Sequence, residues 1–107
     1  MQSILIVCGA GASSTFLASR MRAIAKARGL VVLIEPASDS DMRSKLHHTT
    51  VLLVGSHLSA RFASLEAEAA EFGIPAALLP PTAFGPSAAE HALDLAAGMV
   101  TLESSTI

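Results

Sequence analysis

Cys8, the one cysteine of the chain, follows the apolar run Ile4-Leu5-Ile6-Val7 and directly precedes Gly9-Ala10-Gly11-Ala12-Ser13-Ser14-Thr15. A sulfur nucleophile, a loop of small residues and three consecutive hydroxyls are the parts needed to cradle an anion and bond to it covalently. Gly9 and Gly11 let an anion approach the main chain. Ala10 and Ala12 keep the rim narrow, and Ser13, Ser14 and Thr15 supply hydroxyls and caps for the helix expected to follow. A helix N-terminus favours negative charge. The same field favours thiolate over thiol, so Cys8 is expected to ionise below the ordinary cysteine value. A thiolate held there can accept a phosphoryl group and carry it.

Other strand–turn–helix chemistries fit less well. A buried structural cysteine before an ordinary Gly-rich turn leaves the run of hydroxyls unexplained. A nucleotide-binding P-loop needs Gly-Lys-Ser/Thr, which is absent, and a dinucleotide fingerprint needs glycine where Ser14 stands. The low-molecular-weight phosphatase and arsenate reductase class places a nucleophilic Cys after its first strand within C-x5-R. Here the Arg position is Ser14, and no Asp-Pro supplies the general acid. Both departures point away from hydrolysis and towards handing the group to another acceptor. A thiol redox or anion-binding module related to those folds is the alternative from a different class.

Four histidines invite further roles. His57 follows the third strand, where its loop should border Cys8, so it is a candidate to touch the phosphoryl group or a partner. His47-His48 reads as a solvated pair and His91 as structural; no metal and no cofactor are expected. Glu66, Glu68 and Glu71 read as a solvated helix face, and Asp39 and Asp41 as caps or turn residues. Phe16, Leu58 and Phe84 are the apolar candidates for a docking surface around the loop.

The elements that must position Cys8 alternate strand and helix. Strands are expected at Ile4–Val7, Leu30–Ile34 (closed by Glu35-Pro36), Val51–Val54 and Ala76–Leu79. Helices are expected from Ser14 or Thr15 to Arg28, briefly around Asp41–Leu46 with Ser38 or Ser40 as cap, and over Ser59–Phe72. A last helix should follow the capping box Ser87-Ala88-Ala89-Glu90 and bury Leu93, Ala96 and Val100. Gly29 and Gly73 mark helix ends. The pattern implies an α/β fold: a single three-layer domain over residues 1–107, with a four-stranded parallel sheet in the order 2-1-3-4 and helices on both faces. Ligands of such sheets bind beyond the carboxyl ends where connections part, between strands 1 and 3.

Composition narrows the classes. Among 107 residues, 51% are hydrophobic but only 4% aromatic, so the core is expected to rely on small side chains. Mean hydropathy is +0.55, yet no apolar run approaches the roughly 20 residues of a membrane span. No direct membrane insertion is expected, and one free cysteine suits a reducing compartment; a soluble, cytoplasmic protein is the reading. A net charge of −2 and few aromatics argue against nucleic acid, with Arg20, Arg22, Lys26 and Arg28 placed on the outer face of a helix.

With these residues in view, the chain resembles the cytoplasmic B component (enzyme IIB) of bacterial sugar phosphotransferase systems, nearest the lactose/cellobiose type. Cys8, Ala10, Gly11, Ser13, Ser14 and Thr15 match a family loop resembling C-S-A-G-M-S-T-S. Ser19-Arg20-Met21-Arg22, Ile34-Glu35, Val51-Leu52-Leu53-Val54-Gly55 and Pro75 fall at like positions over about 100 residues. Gly9 stands for the common Ser, Ala12 for Met, Gly55-Ser56-His57 for Gly-Pro-Gln and Phe84-Gly85 for Tyr-Gly. Cys-Gly-x-Gly is also similar to the ascorbate and galactitol B components, which leaves the sugar branch open. The resemblance implies a relay: Cys8 takes phosphate from a phosphohistidine of the A component (IIA), and a sugar held by the membrane-embedded C component (IIC) receives it.

Overall fold

The computed structural model describes residues 2–7, 11–38, 41–79 and 88–100, with backbone alone at residues 11–14 and His57. Strand β1 (Gln2–Val7) leads to helix α1 (Gly11–Ala27), then β2 (Val32–Ala37). The one-turn helix α2 (Met42–Lys45) and a 3-10 turn at Leu46–His48 precede β3 (Val51–Val54). A 3-10 stretch (Ser56–Arg61) runs into α3 (Phe62–Glu71), followed by β4 (Ala76–Leu78) and α4 (Ala88–Met99). The four strands form one parallel sheet in the order β2-β1-β3-β4, as the alternation of elements requires.

Alternation along β1 sends its side chains into two cores. Ile4 and Ile6 join Leu17, Met21 and Ala25 of α1 and Leu93 and Ala96 of α4. Leu5 and Val7 join Met42 of α2, Leu46, and Leu65 and Ala69 of α3. Ala18, Ala25, Ala88, Ala89, Ala92 and Ala96 are all buried in the first core, so small side chains do let α1 and α4 pack closely.

Both glycine stops act as the sequence suggests. Gly29 and Gly73 have φ of 72° and 71°, a conformation other residues adopt only with strain. After Gly29 the Leu30 N–H donates to Ala25 O; after Gly73 the Ile74 N–H donates to Ala69 O, both at 2.9–3.0 Å. With the Gly29 N–H on Lys26 O and the Gly73 N–H on Ala70 O, each end forms the paired bonds of a Schellman cap.

Several boundaries differ from the sequence reading: β1 starts at Gln2 rather than Ile4 and β2 at Val32 rather than Leu30, since Leu30 still belongs to the cap that closes α1. Helix α1 begins at Gly11, earlier than Ser14, because a small-residue segment can enter the helix before the hydroxyls that signal a cap. β2 continues through Glu35-Pro36 to Ala37 and is only partly buried. It is an edge strand, where the missing N–H of Pro36 costs no ladder bond when it faces outward. The carbonyls of Ile34 and Pro36, two residues apart and therefore on one side, accept Arg22 Nε (2.8 Å) and Lys45 Nζ (3.5 Å). Helix α3 starts at Phe62 after a 3-10 stretch interrupted at Leu58.

Ser38 accepts the Asp41 N–H on its Oγ at 3.2 Å, whereas Ser40, Asp39 and the capping Ser87 lie outside the described residues. Leu93 and Ala96 are fully buried by α4 and Val100 partly.

Candidate functional site

β1 is central and ends at Val7, whose carbonyl accepts the Gly55 N–H at 2.7 Å. That bond continues the β1–β3 ladder one residue beyond Val7↔Val54. The segments following the two strands therefore leave side by side. α1, which follows β1, packs in one core, and α3, which follows β3, packs in the other. The connections thus diverge to opposite faces, which is the crevice where ligands of such sheets sit.

Only three residues, Cys8-Gly9-Ala10, separate Val7 from the start of α1. They lie outside the described residues. Gly11, Ala12, Ser13 and Ser14 form the first turn of the helix, whose N–H groups have no partner within it. The 17-residue α1 carries no acidic side chain and bears Arg20, Arg22 and Lys26. An anion at its N-terminus therefore meets the positive end of the backbone dipole and no carboxylate of the same helix. Thr15, the last of the three hydroxyl residues, is exposed.

His57 belongs to the 3-10 stretch after β3, three residues beyond Val54, so its backbone lies on the crevice side of the sheet. Of the apolar docking candidates, Phe16 is 61% exposed in the second turn of α1, with the Arg20 guanidinium carbon 5.7 Å from its ring centre. Leu58 is instead buried in the α3-side core, where the interrupted 3-10 stretch turns it inward. Phe84 lies outside the described residues.

The remaining histidines are not brought to this end. His47 and His48 are exposed and precede β3, at the opposite end of the strands, with ring centroids 4.3 Å apart. His91 is exposed on α4. Glu68 and Glu71 meet Arg43 of α2 at 3.7 and 3.4 Å in largely solvent-facing ion pairs, and Glu66 is exposed on the same helix. Among the described residues no group of three or more His, Cys, Asp or Glu is disposed to hold a metal ion, and no helix is long and apolar enough to cross a membrane.

Two features were not read from the sequence. Among the described residues Ser3 is the buried polar side chain of the core, and a cavity opens beside it over β1 and β2. The shortness of the polar segment between Ser38 and Thr50 was the available signal, since it leaves too little helix to cover both strands.

The geometry has parallels among solved structures. The cellobiose-specific phosphotransferase IIB component protein from Borrelia burgdorferi is 27% identical, with a TM-score of 0.75 over 98% of this chain and 96% of that one. The lactose-specific IIB component domain of the phosphoenolpyruvate:carbohydrate phosphotransferase system from Streptococcus pneumoniae shares the fold. Its TM-score is 0.68 at 14% identity, over 87% of this chain and 95% of that one. No curated protein matches the sequence significantly. The family model "PTS system, Lactose/Cellobiose specific IIB subunit" matches residues 3–94. Spanning most of the chain and coinciding with the parallel sheet and its crevice, that match places the protein in the lactose/cellobiose-specific IIB family of the sugar phosphotransferase system.

Proposed function

We propose that Cys8 is the phosphoryl carrier of this IIB component and that residues 1–107 act as one IIB domain. The observation that carries the reading is the start of an acid-free, 17-residue helix three residues after the central strand, with Cys8 between them. The Cys8 thiolate attacks phosphorus on the phosphohistidine of the A component; the P–N bond breaks as the S–P bond forms. A sugar hydroxyl oxygen presented by the membrane-embedded C component then attacks the phosphocysteine. The S–P bond breaks, the O–P bond forms, and the hydroxyl proton passes to a base. Covalent catalysis divides the transfer into two easier steps.

Backbone N–H groups of Gly9, Ala10, Gly11, Ala12, Ser13 and Ser14, with the Ser13, Ser14 and Thr15 hydroxyls, hold the phosphoryl charge of roughly −2. His57 borders the group or the docked partner. Phe16 offers both partners an exposed ring. The protein works on the cytoplasmic side of the membrane, with no metal or other cofactor in the transfer.

Intact mass tests this directly after incubation with phosphoenolpyruvate, the general phosphotransfer proteins and candidate A components. One phosphoryl adduct mapped to Cys8, absent from Cys8→Ser, is expected. Phosphohistidine accumulating on the A component with no adduct on this chain overturns the reading in favour of a redox or anion-binding module.

A further inference from the structure

A cavity of about 670 Å³ lies over β1 and β2 on the α2 side of the sheet, within the size range of small-molecule sites. It exists because the β2–β3 connection holds only one helical turn and a 3-10 turn, leaving Leu33 of β2 44% exposed. Leu5 and Leu33 give it an apolar floor, while Glu35, Lys45, His47 and His48 stand around the rim. Ser3 lines it about 13 Å back along β1 from Val7, the last described residue before Cys8.

Ser3 is the telling residue. It is 6% exposed, and its main chain is fully engaged: the N–H donates to Thr50 Oγ1 (2.9 Å) and the carbonyl accepts the Thr50 N–H (2.7 Å). Its Oγ makes no hydrogen bond among the described residues, yet no buried side-chain oxygen or nitrogen there lacks a partner. The hydroxyl therefore opens into the cavity. Open to the cavity, the hydroxyl is met by water there and can exchange that water for a ligand hydroxyl at little cost.

The rim selects the ligand's charge. Lys45 Nζ and Glu35 Oε2 form a long ion pair at 3.9 Å, and Lys45 also donates to Pro36 O; the ammonium's remaining N–H groups and the carboxylate's remaining lone pairs can still meet a ligand. Glu35 repels an anion and Lys45 repels a cation. An acceptor, a donor, the Ser3 hydroxyl and two imidazoles around a leucine floor match a ligand with alternating hydroxyls and an apolar C–H face. We infer that this cavity binds a small neutral polyhydroxylated ring of the monosaccharide or cyclitol class, at a site separate from Cys8.

The test is an amide NMR titration of the full chain with glucose, lactose, cellobiose and myo-inositol, and separately with inorganic phosphate. Saturable shifts are expected at Ser3, Leu33, Glu35 and His47–Thr50 with at least one polyol, and none there with phosphate. Ser3→Ala and Glu35→Gln should each weaken binding about tenfold, with unchanged far-UV spectra, while Cys8→Ser should bind as wild type does. No saturable shift up to roughly 50 mM polyol, a response to phosphate alone, or loss of binding in Cys8→Ser overturns the assignment. Because the Cys8→Ser protein remains competent here, failure of this inference and failure of the carrier reading are separately visible.

Discussion

The two faces of the sheet are built to different standards. On one, α1 and α4 cover the β1 and β3 side chains with two long helices, and Ile4, Ile6, Met21 and Leu93 are wholly buried. On the other, α3 covers β3 but only the four-residue α2 and a 3-10 turn reach towards β2. A parallel crossover needs a dozen or more residues, and the connection from Ser38 to Thr50 barely meets that. The well-covered face carries α1, which begins three residues beyond β1, so the proposed anion cradle would adjoin the firmer half. The thin half holds the cavity. Coverage, set by connection length, decides which face can be a scaffold and which can open to a ligand.

The most severe test of this contrast is a matched pair of truncations. Met21 and Met42 are both fully buried, so Met21→Ala is expected to cost about 3–4 kcal/mol and Met42→Ala about 2 kcal/mol by denaturant unfolding. The difference arises because the single turn of α2 can settle into the space, whereas the α1–α4 layer cannot. Equal costs would break the comparison. A smaller effect separates packing from backbone. Gly29→Ala and Gly73→Ala should each cost about 1 kcal/mol. Their caps lie on opposite faces, yet an added Cβ meets nothing within 4 Å at either site. Unequal values would mean the faces differ in local strain as well as coverage. Leu33→Thr should change stability by less than about 0.5–1 kcal/mol, since that side chain is 44% exposed; a larger loss would show the thin face to be better packed than its exposure implies.

Much of this was legible from the chain. Val51–Val54, the two glycine stops and the sheet order follow from apolar runs and positive-φ chemistry, which are local. The proposal for Cys8 also rests on local signals, its residue type and its small, hydroxyl-rich neighbours, and Cys8 itself lies outside the described residues. What the sequence hid was tertiary. Pro36 looked like the end of a strand because an edge position cannot be seen before the sheet is assembled. Ser14 and Thr15 looked like the start of α1 because hydroxyl caps are a stronger signal than Gly11-Ala12. Leu58 looked free to meet a partner until the 3-10 kink turned it into the core. Ser3 itself carried no local signal, since its main chain is satisfied by Thr50, forty-seven residues away.

β1 lies between two strands that both come later in the chain. During synthesis its apolar segment leaves the ribosome before either partner strand and gains its second neighbour only when Val51–Val54 has followed. At ordinary translation speeds that interval is roughly 2–9 seconds. Throughout it, this apolar strand can be covered only by elements that precede β3, chiefly α1 and, once Val32–Ala37 has followed, β2 on one edge. The nascent polypeptide therefore passes through a window in which chaperone capture competes with self-association, and slower decoding between β1 and β3 would lengthen that exposure.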